Sequence, residues 1–259
     1  MNKKKYSAII YSGAWLLLIS VLAISMGFVN NSRKKAKCTD LLITIDAEEG
    51  NYFISKDDVR SFIYENVGDP IGQSLEEINL ESLEFSLKEL KVVRDAEVYS
   101  DLKGRIKVDI EQRIPIARVF FTNGSSSYMD DKGELMPLSS KYTARVIVIN
   151  GFVPQYYLND GEQNSVNPEW YKLYSLVTKI REDAFLLAQF EQIYINKHKE
   201  YELTPRVGSH GILLGKGEDV DMKFKKLELF YKEGISKVDW NKYKQIDLRF
   251  KDQVVCVKR

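Results

Sequence analysis

Few residues in this chain have the types and spacing that chemistry requires. There are two histidines, His198 and His210, and neither has metal-ligand spacing to the other or to Cys38 and Cys256. His198 sits in Lys197-His198-Lys199-Glu200, which reads as a solvated turn. Ser209-His210, between Gly208 and Gly211, sets a hydroxyl beside an imidazole. Adjacent side chains usually point apart, however, and the strained Gly-x-Ser-x-Gly elbow that would expose the serine is missing. The run Gly211-Ile212-Leu213-Leu214-Gly215-Lys216-Gly217 faintly resembles a phosphate loop. Its glycine spacing is wrong, and Gly217 stands where a metal-binding Ser or Thr belongs. A tight turn into a helix explains it better. The carboxylates are plentiful but scattered, as on solvated faces. The expectation is a non-enzyme with no catalytic centre, no metal and no cofactor.

Charge narrows the partners. Lys and Arg total 38 against 37 Asp and Glu, so no global field favours nucleic acid or an acidic partner. The cysteines lie at nearly opposite ends of the polar part of the chain, and a disulfide between them is open but disfavoured, since Cys38 falls in a juxtamembrane segment. No low-complexity tract or internal repeat breaks the sequence.

The N-terminus must be positioned by a membrane. After a short tail, residues 1–7, the stretch 8–29 carries no charged side chain and is rich in Leu, Ile and Val. As a helix it spans about 30 Å, the thickness of a bilayer core. Tyr6, Tyr11 and Trp15 fall toward one end, where amphipathic rings favour the headgroup boundary. The run is too long for a signal-peptide core and no small-x-small cleavage site follows it. A single transmembrane helix is expected, surrounded by lipid, with residues 30–39 as a juxtamembrane linker. Its orientation stays open on charge alone: Lys3, Lys4 and Lys5 flank one side, and Arg33, Lys34, Lys35 and Lys37 the other.

The remaining 220 or so residues are enough for one large domain or two small ones. Residues 40–119 read as strand, helix, helix, strand, strand. Leu41 to Ile45 is a β-branched run. Ser55 with Asp58 three residues on forms a capping box, with Val59, Phe62 and Ile63 on the helix's apolar face. Leu80, Leu83, Leu87 and Leu90 make a second helical stripe. Ala96 to Tyr99 and the alternating Ile106, Val108 and Ile110 flank a turn at Asp101 to Gly104, a hairpin with one buried face.

Residues 120–259 read as a mostly antiparallel β-domain with two or more helices. A hairpin turns at Asp131-Lys132-Gly133, and Val146 to Ile149 is a buried strand. Asn167-Pro168-Glu169 starts a helix with Trp170, Leu173, Tyr174, Val177 and Ile180 inside. Strands follow around Ile193, Leu203 and Leu213, then a helix carrying Val220, Phe224, Leu227 and Tyr231 and ended by Gly234. The chain closes with Ile246, Leu248 and Phe250 alternating with polar residues, a turn near Lys251-Asp252, and an apolar stretch from Val254 to Val257. The fold class is therefore α+β: an N-terminal transmembrane helix, a βααββ module and a β-domain.

The first module resembles a POTRA domain. The resemblance sharpens at Leu90-Lys91-Val92-Val93-Arg94-Asp95-Ala96-Glu97-Val98, at Gly104 to Val108, and at Glu111-Gln112-Arg113-Ile114-Pro115-Ile116-Ala117. That last pattern, Glu-x-Arg-x-Pro-x-Ala, is similar to the POTRA exit of the bacterial division proteins FtsQ and DivIB. Their β-domain is echoed, in order, by Tyr128 to Gly133, Val146 to Gly151, Leu214-Gly215 and Ile246 to Phe250. Departures are the very short tail, an added loop at 156–166, and an end directly after the last strand.

The resemblance implies a non-enzymatic scaffold of the division machinery, anchored in the inner membrane as a type II protein, with both modules in the periplasm and enrichment at the septum. It implies FtsB- and FtsL-type single-pass partners at the end of the β-domain, and other division proteins on the POTRA domain. Arg249 and Phe250 match the family's basic and aromatic pair. Gln253, Val254, Val255, Cys256, Val257 and Lys258 form the expected docking strand, although the family's small and aromatic residues are replaced there by valines, Cys256 and Lys258. Two other functions stay open: a POTRA-bearing component of an envelope transport system, and a membrane-anchored envelope enzyme.

Overall fold

The computed structural model describes residues 15, 17–21, 37–47, 52–154, 167–234 and 242–259. The tail 1–7, most of the expected span and linker, and the expected insertion at 156–166 lie outside these residues. Among the described residues, no helix is long and apolar enough to cross a membrane. The described part forms two compact units, one running to Asp46 and including Ile54–Gln112, the other Ala47–Phe53 with Arg113–Arg259.

The first unit holds β1 (Asp40–Asp46), α1 (Lys56–Val67), α2 (Leu80–Lys88), β2 (Val93–Ser100) and β3 (Arg105–Gln112). Its sheet order is β1-β3-β2, with β1 parallel and β2 antiparallel to β3. Ser55 caps α1 reciprocally: its hydroxyl accepts from the Asp58 N–H, and its own N–H donates to the Asp58 carboxylate at 2.9 Å. Asn79 caps α2, accepting from Ser82 N at 2.9 Å. Val59, Ile63, Leu83 and Leu87 from the helices meet Ile106, Val108 and Ile110 in one core. Each such side chain contributes about 1.5–3 kcal/mol on burial. Residues 37–39, expected as linker, belong to this unit. Cys38 N donates to Gln73 O at 2.8 Å, Thr39 N donates to Gly104 O at 2.9 Å, and the Cys38 side chain is buried.

The second unit contains β4 (Pro115–Phe120), β5 (Ser126–Asp130), β6 (Leu135–Met136), β7 (Ile147–Gly151), α3 (Pro168–Glu182), α4 (Ala184–Gln189), β8 (Phe190–Ile195), β9 (Tyr201–Pro205), β10 (Gly211–Gly215), α5 (Val220–Glu233), β11 (Tyr243–Asp247) and β12 (Val255–Lys258). They build a nine-stranded sheet in the order β12-β11-β10-β9-β8-β7-β4-β5-β6. The pairs β4/β7, β7/β8 and β10/β11 are parallel, and the other five are antiparallel. Parallel neighbours need a crossover, which α3 and α4 provide between β7 and β8, and α5 provides between β10 and β11.

Register fixes the core. Val119, Ile149, Ile193, Leu203, Ile212 and Ile246 stand in line across six strands, each with no exposed surface. Leu173, Leu176, Val177 and Ile180 of α3, and Phe224 and Leu227 of α5, belong to the same cluster. Two readings of the sequence need correction. The boundary placed at 119 lies at Gln112–Arg113, because β4 hydrogen-bonds into the large sheet. The final alternation stops early: the chain turns after Asp247, so Leu248 is buried while Phe250 is 44% exposed.

Candidate functional site

The sheet's two edges are β12 and β6. On β12 the pairing runs Asp247↔Val255, Ile246↔Cys256, Gln245↔Val257 and Tyr243↔Lys258, with a register shift between Tyr243 and Gln245. Strand period two then sorts the side chains. Val254 and Cys256 pack against the core, whereas Val257 and Lys258 are exposed and Gln253 lies in solvent. Burial pushes the Cys256 thiol pKa up, so it stays protonated at neutral pH and is a poor nucleophile. Cys256 and Cys38 are both free thiols. On the side of β12 away from β11, no strand pairs with it among the described residues. Alternate N–H and C=O groups there face outward, as an antiparallel ladder dictates.

The turn before β12 is held in place from two sides. Lys226 of α5 donates its ammonium to the carbonyls of Phe250 and, at 3.1 Å, of Lys251, with Leu248 O at 3.5 Å. Arg249 sits between two carboxylates. Its Nη2 donates to Asp247 Oδ2 at 2.8 Å, its Nε to Asp247 Oδ1 at 3.1 Å, and its Nη1 to Glu200 Oε1 at 3.0 Å. Burial opposes ionisation of Asp247, yet the Arg249 guanidinium and backbone N–H keep its pKa below the ordinary value. At Glu200 a bond from Asn196 and then Arg249 outweigh burial in the same direction. The Arg249 stem lies over Gly215, where a Cβ would meet Arg249 Cγ at 3.0 Å with the backbone at φ +82°. The glycine therefore serves close approach.

Of the residues expected to dock a partner, the structure brings Arg249, Phe250 and the strand 253–258 to one edge. It presents the Phe250 ring and the outer face of β12. Arg249 is largely committed to Asp247 and Glu200, with one N–H on each terminal nitrogen left over. Lys226 and Glu200 were not legible as site residues, because each acts from a distant segment. The Ser209-His210 pair is split: His210 Nε2 lies 2.7 Å from Tyr231 Oη, while Ser209 accepts from Arg259. Such an edge has the unpaired backbone groups that pairing with an extended chain requires.

Residues 36–111 match a POTRA-like domain, and 114–257 match the model for FtsQ/DivIB, C-terminal related. The chain belongs to the FtsQ/DivIB family, whose modules are non-enzymatic scaffold domains. The search of curated proteins returns no match. Among solved structures, POTRA1-2 of the periplasmic domain of Omp85 from Anabaena is similar at 7% identity with a TM-score of 0.26. It covers 62% of this chain and 93% of that one, and the score is too low to equate the folds.

Proposed function

We propose that this chain is a scaffold of the bacterial division machinery, held in the inner membrane by residues 8–29 as a single-pass type II protein and enriched at the septum. Both units then stand in the periplasm. The long polar region translocates largely regardless of the near-equal flanking charges. The outer edge of β12 adds a strand from an FtsB- or FtsL-type single-pass partner, and the POTRA-like unit receives other division proteins. The observation that supports this most is the open β12 edge at the end of the stretch matched to the family. Backbone pairing gives the affinity, and Phe250 and Val257 give the side-chain contact. Val255→Pro removes a backbone donor from the strand and is expected to abolish co-purification of the partner, leaving the stability of the first unit unchanged. Undiminished co-purification by a folded Val255→Pro chain contradicts the proposal.

A further inference from the structure

A second feature of the β-sheet unit bears on binding and owes nothing to the β12 edge. A cavity of about 340 Å³ is framed by Arg145 before β7, Arg181 in the last turn of α3 and Arg206 just after β9, with Val177, Ile180 and Phe190 among its apolar walls. No carboxylate lines it, in a chain whose Asp and Glu nearly equal its Lys and Arg. Three arginines around one concave, apolar-walled space concentrate positive charge that the overall balance hides. Arg181 has structural work, since a cation in the last turn of a helix opposes the helix dipole. The side chains of Arg145 and Arg206 have no carboxylate partner among the described residues, and both are exposed. A second hollow of about 290 Å³ shares Arg145, Val146 and Arg206, and adds Val148, Glu191 and Gln192. In β7, Val148 faces away from the core row of Ile147 and Ile149, so this second hollow lies across the sheet from Val177 and Ile180.

We propose that the first cavity binds an acidic segment of a protein partner. A carboxylate of that segment lies between Arg145 and Arg206, whose planar forks match it geometrically. A neighbouring aliphatic or aromatic side chain lies against Val177, Ile180 and Phe190. The volume holds one or two side chains, at the small end of ligand pockets. The expected motif is therefore an acidic residue next to an aliphatic or aromatic one.

The test is fluorescence anisotropy of a labelled peptide, Leu-Glu-Phe-Ser-Lys-Ser, with the full chain. The expected result is saturable binding, weakened at least tenfold when the peptide's Glu is replaced by Gln, and at least tenfold by combined Arg145→Ala and Arg206→Ala. Both arginines are exposed, so the thermal midpoint of that variant is expected to hold. Combined Lys103→Ala and Lys251→Ala, the same change of net charge elsewhere, is expected to leave binding intact, as is Val255→Pro. Failure of the peptide to saturate overturns the proposal, and so does equal binding by the double-arginine variant. Binding of water-soluble dihexanoyl phosphatidylglycerol at these arginines without peptide binding overturns it in favour of a lipid.

Discussion

The two edges of the nine-stranded sheet are built on opposite plans. At β6 the edge strand is two residues long, and Pro137, which has no N–H, follows it directly. Behind it Phe53 packs edge-on against Tyr128 and Tyr142, with ring centroids 5.3 and 5.4 Å away. The Tyr128 hydroxyl accepts from Ala144 N at 3.1 Å. At β12 the edge is four residues long, β-branched, and free on its outer side among the described residues. Sheets usually blunt their edges, because unpaired backbone groups template association. One short, proline-bounded edge and one longer edge on the same sheet fit the partner proposed for β12.

The largest effect is expected at the closed edge. Asp130 is buried; it accepts from Arg113 Nε at 2.8 Å and from the N–H groups of Lys132 and Glu134 at 3.0 and 2.7 Å. Asp130→Ala takes the buried carboxylate from Arg113, which keeps Glu134 at 2.8 Å, and leaves two turn N–H groups without that acceptor, at an expected cost of about 2–3 kcal/mol in urea denaturation. A loss below about 1 kcal/mol would mean that the pair does not hold the β5–β6 turn.

A smaller effect is expected at the open edge. Lys226→Ala frees the carbonyls of the 248–251 turn, which are partly solvated, so the expected loss is only about 1 kcal/mol. Partner affinity is expected to fall more than stability does, because Phe250 loses its fixed presentation. Equal loss of stability and affinity would make Lys226 a purely structural residue.

Smallest is the pH response of the Arg249 clamp. Asp247 titrates below its ordinary value of 3.8 in the folded chain, so its charge stabilises the fold at neutral pH. That contribution is complete above about 3.8 and is lost as pH falls through the lower folded value. In urea melts between pH 5 and 2, Asp247→Asn should therefore cost stability at pH 5 and show a shallower acid decline. Parallel curves for the two proteins would contradict the clamp.

Much of this architecture was legible in the sequence wherever a period ran long enough to speak. The stripes of α1, α3 and α5 and the capping residues Ser55 and Asn167 follow from spacing and local chemistry, as does the hairpin flanking Asp101 to Gly104. The six-residue α4 was not legible, since Ala184–Gln189 is too short for a helical period. Its cap, Asp183, accepts from Phe185 and Leu186 N–H groups and reads as an ordinary surface acid without the structure. The boundary at Gln112–Arg113 was hidden because β4 is as apolar as β3, and only pairing decides which sheet it joins. Phe250 continued an apolar alternation, yet Asp247 accepts from Arg249 N at 3.0 Å and turns the chain outward. At the candidate site the strand and the Arg-Phe pair were visible. Lys226 and Glu200, which are 24 and 49 residues from the groups they hold, were not.

Amide hydrogen exchange of the full chain, with and without the periplasmic segment of an FtsB-type partner, tests the central claim most directly. Strand addition predicts that outward-facing amides within Val255–Lys258 become protected on binding, while those of Leu135–Met136 do not change. Unchanged exchange along β12 in a saturated complex, or equal protection at both edges, would contradict it.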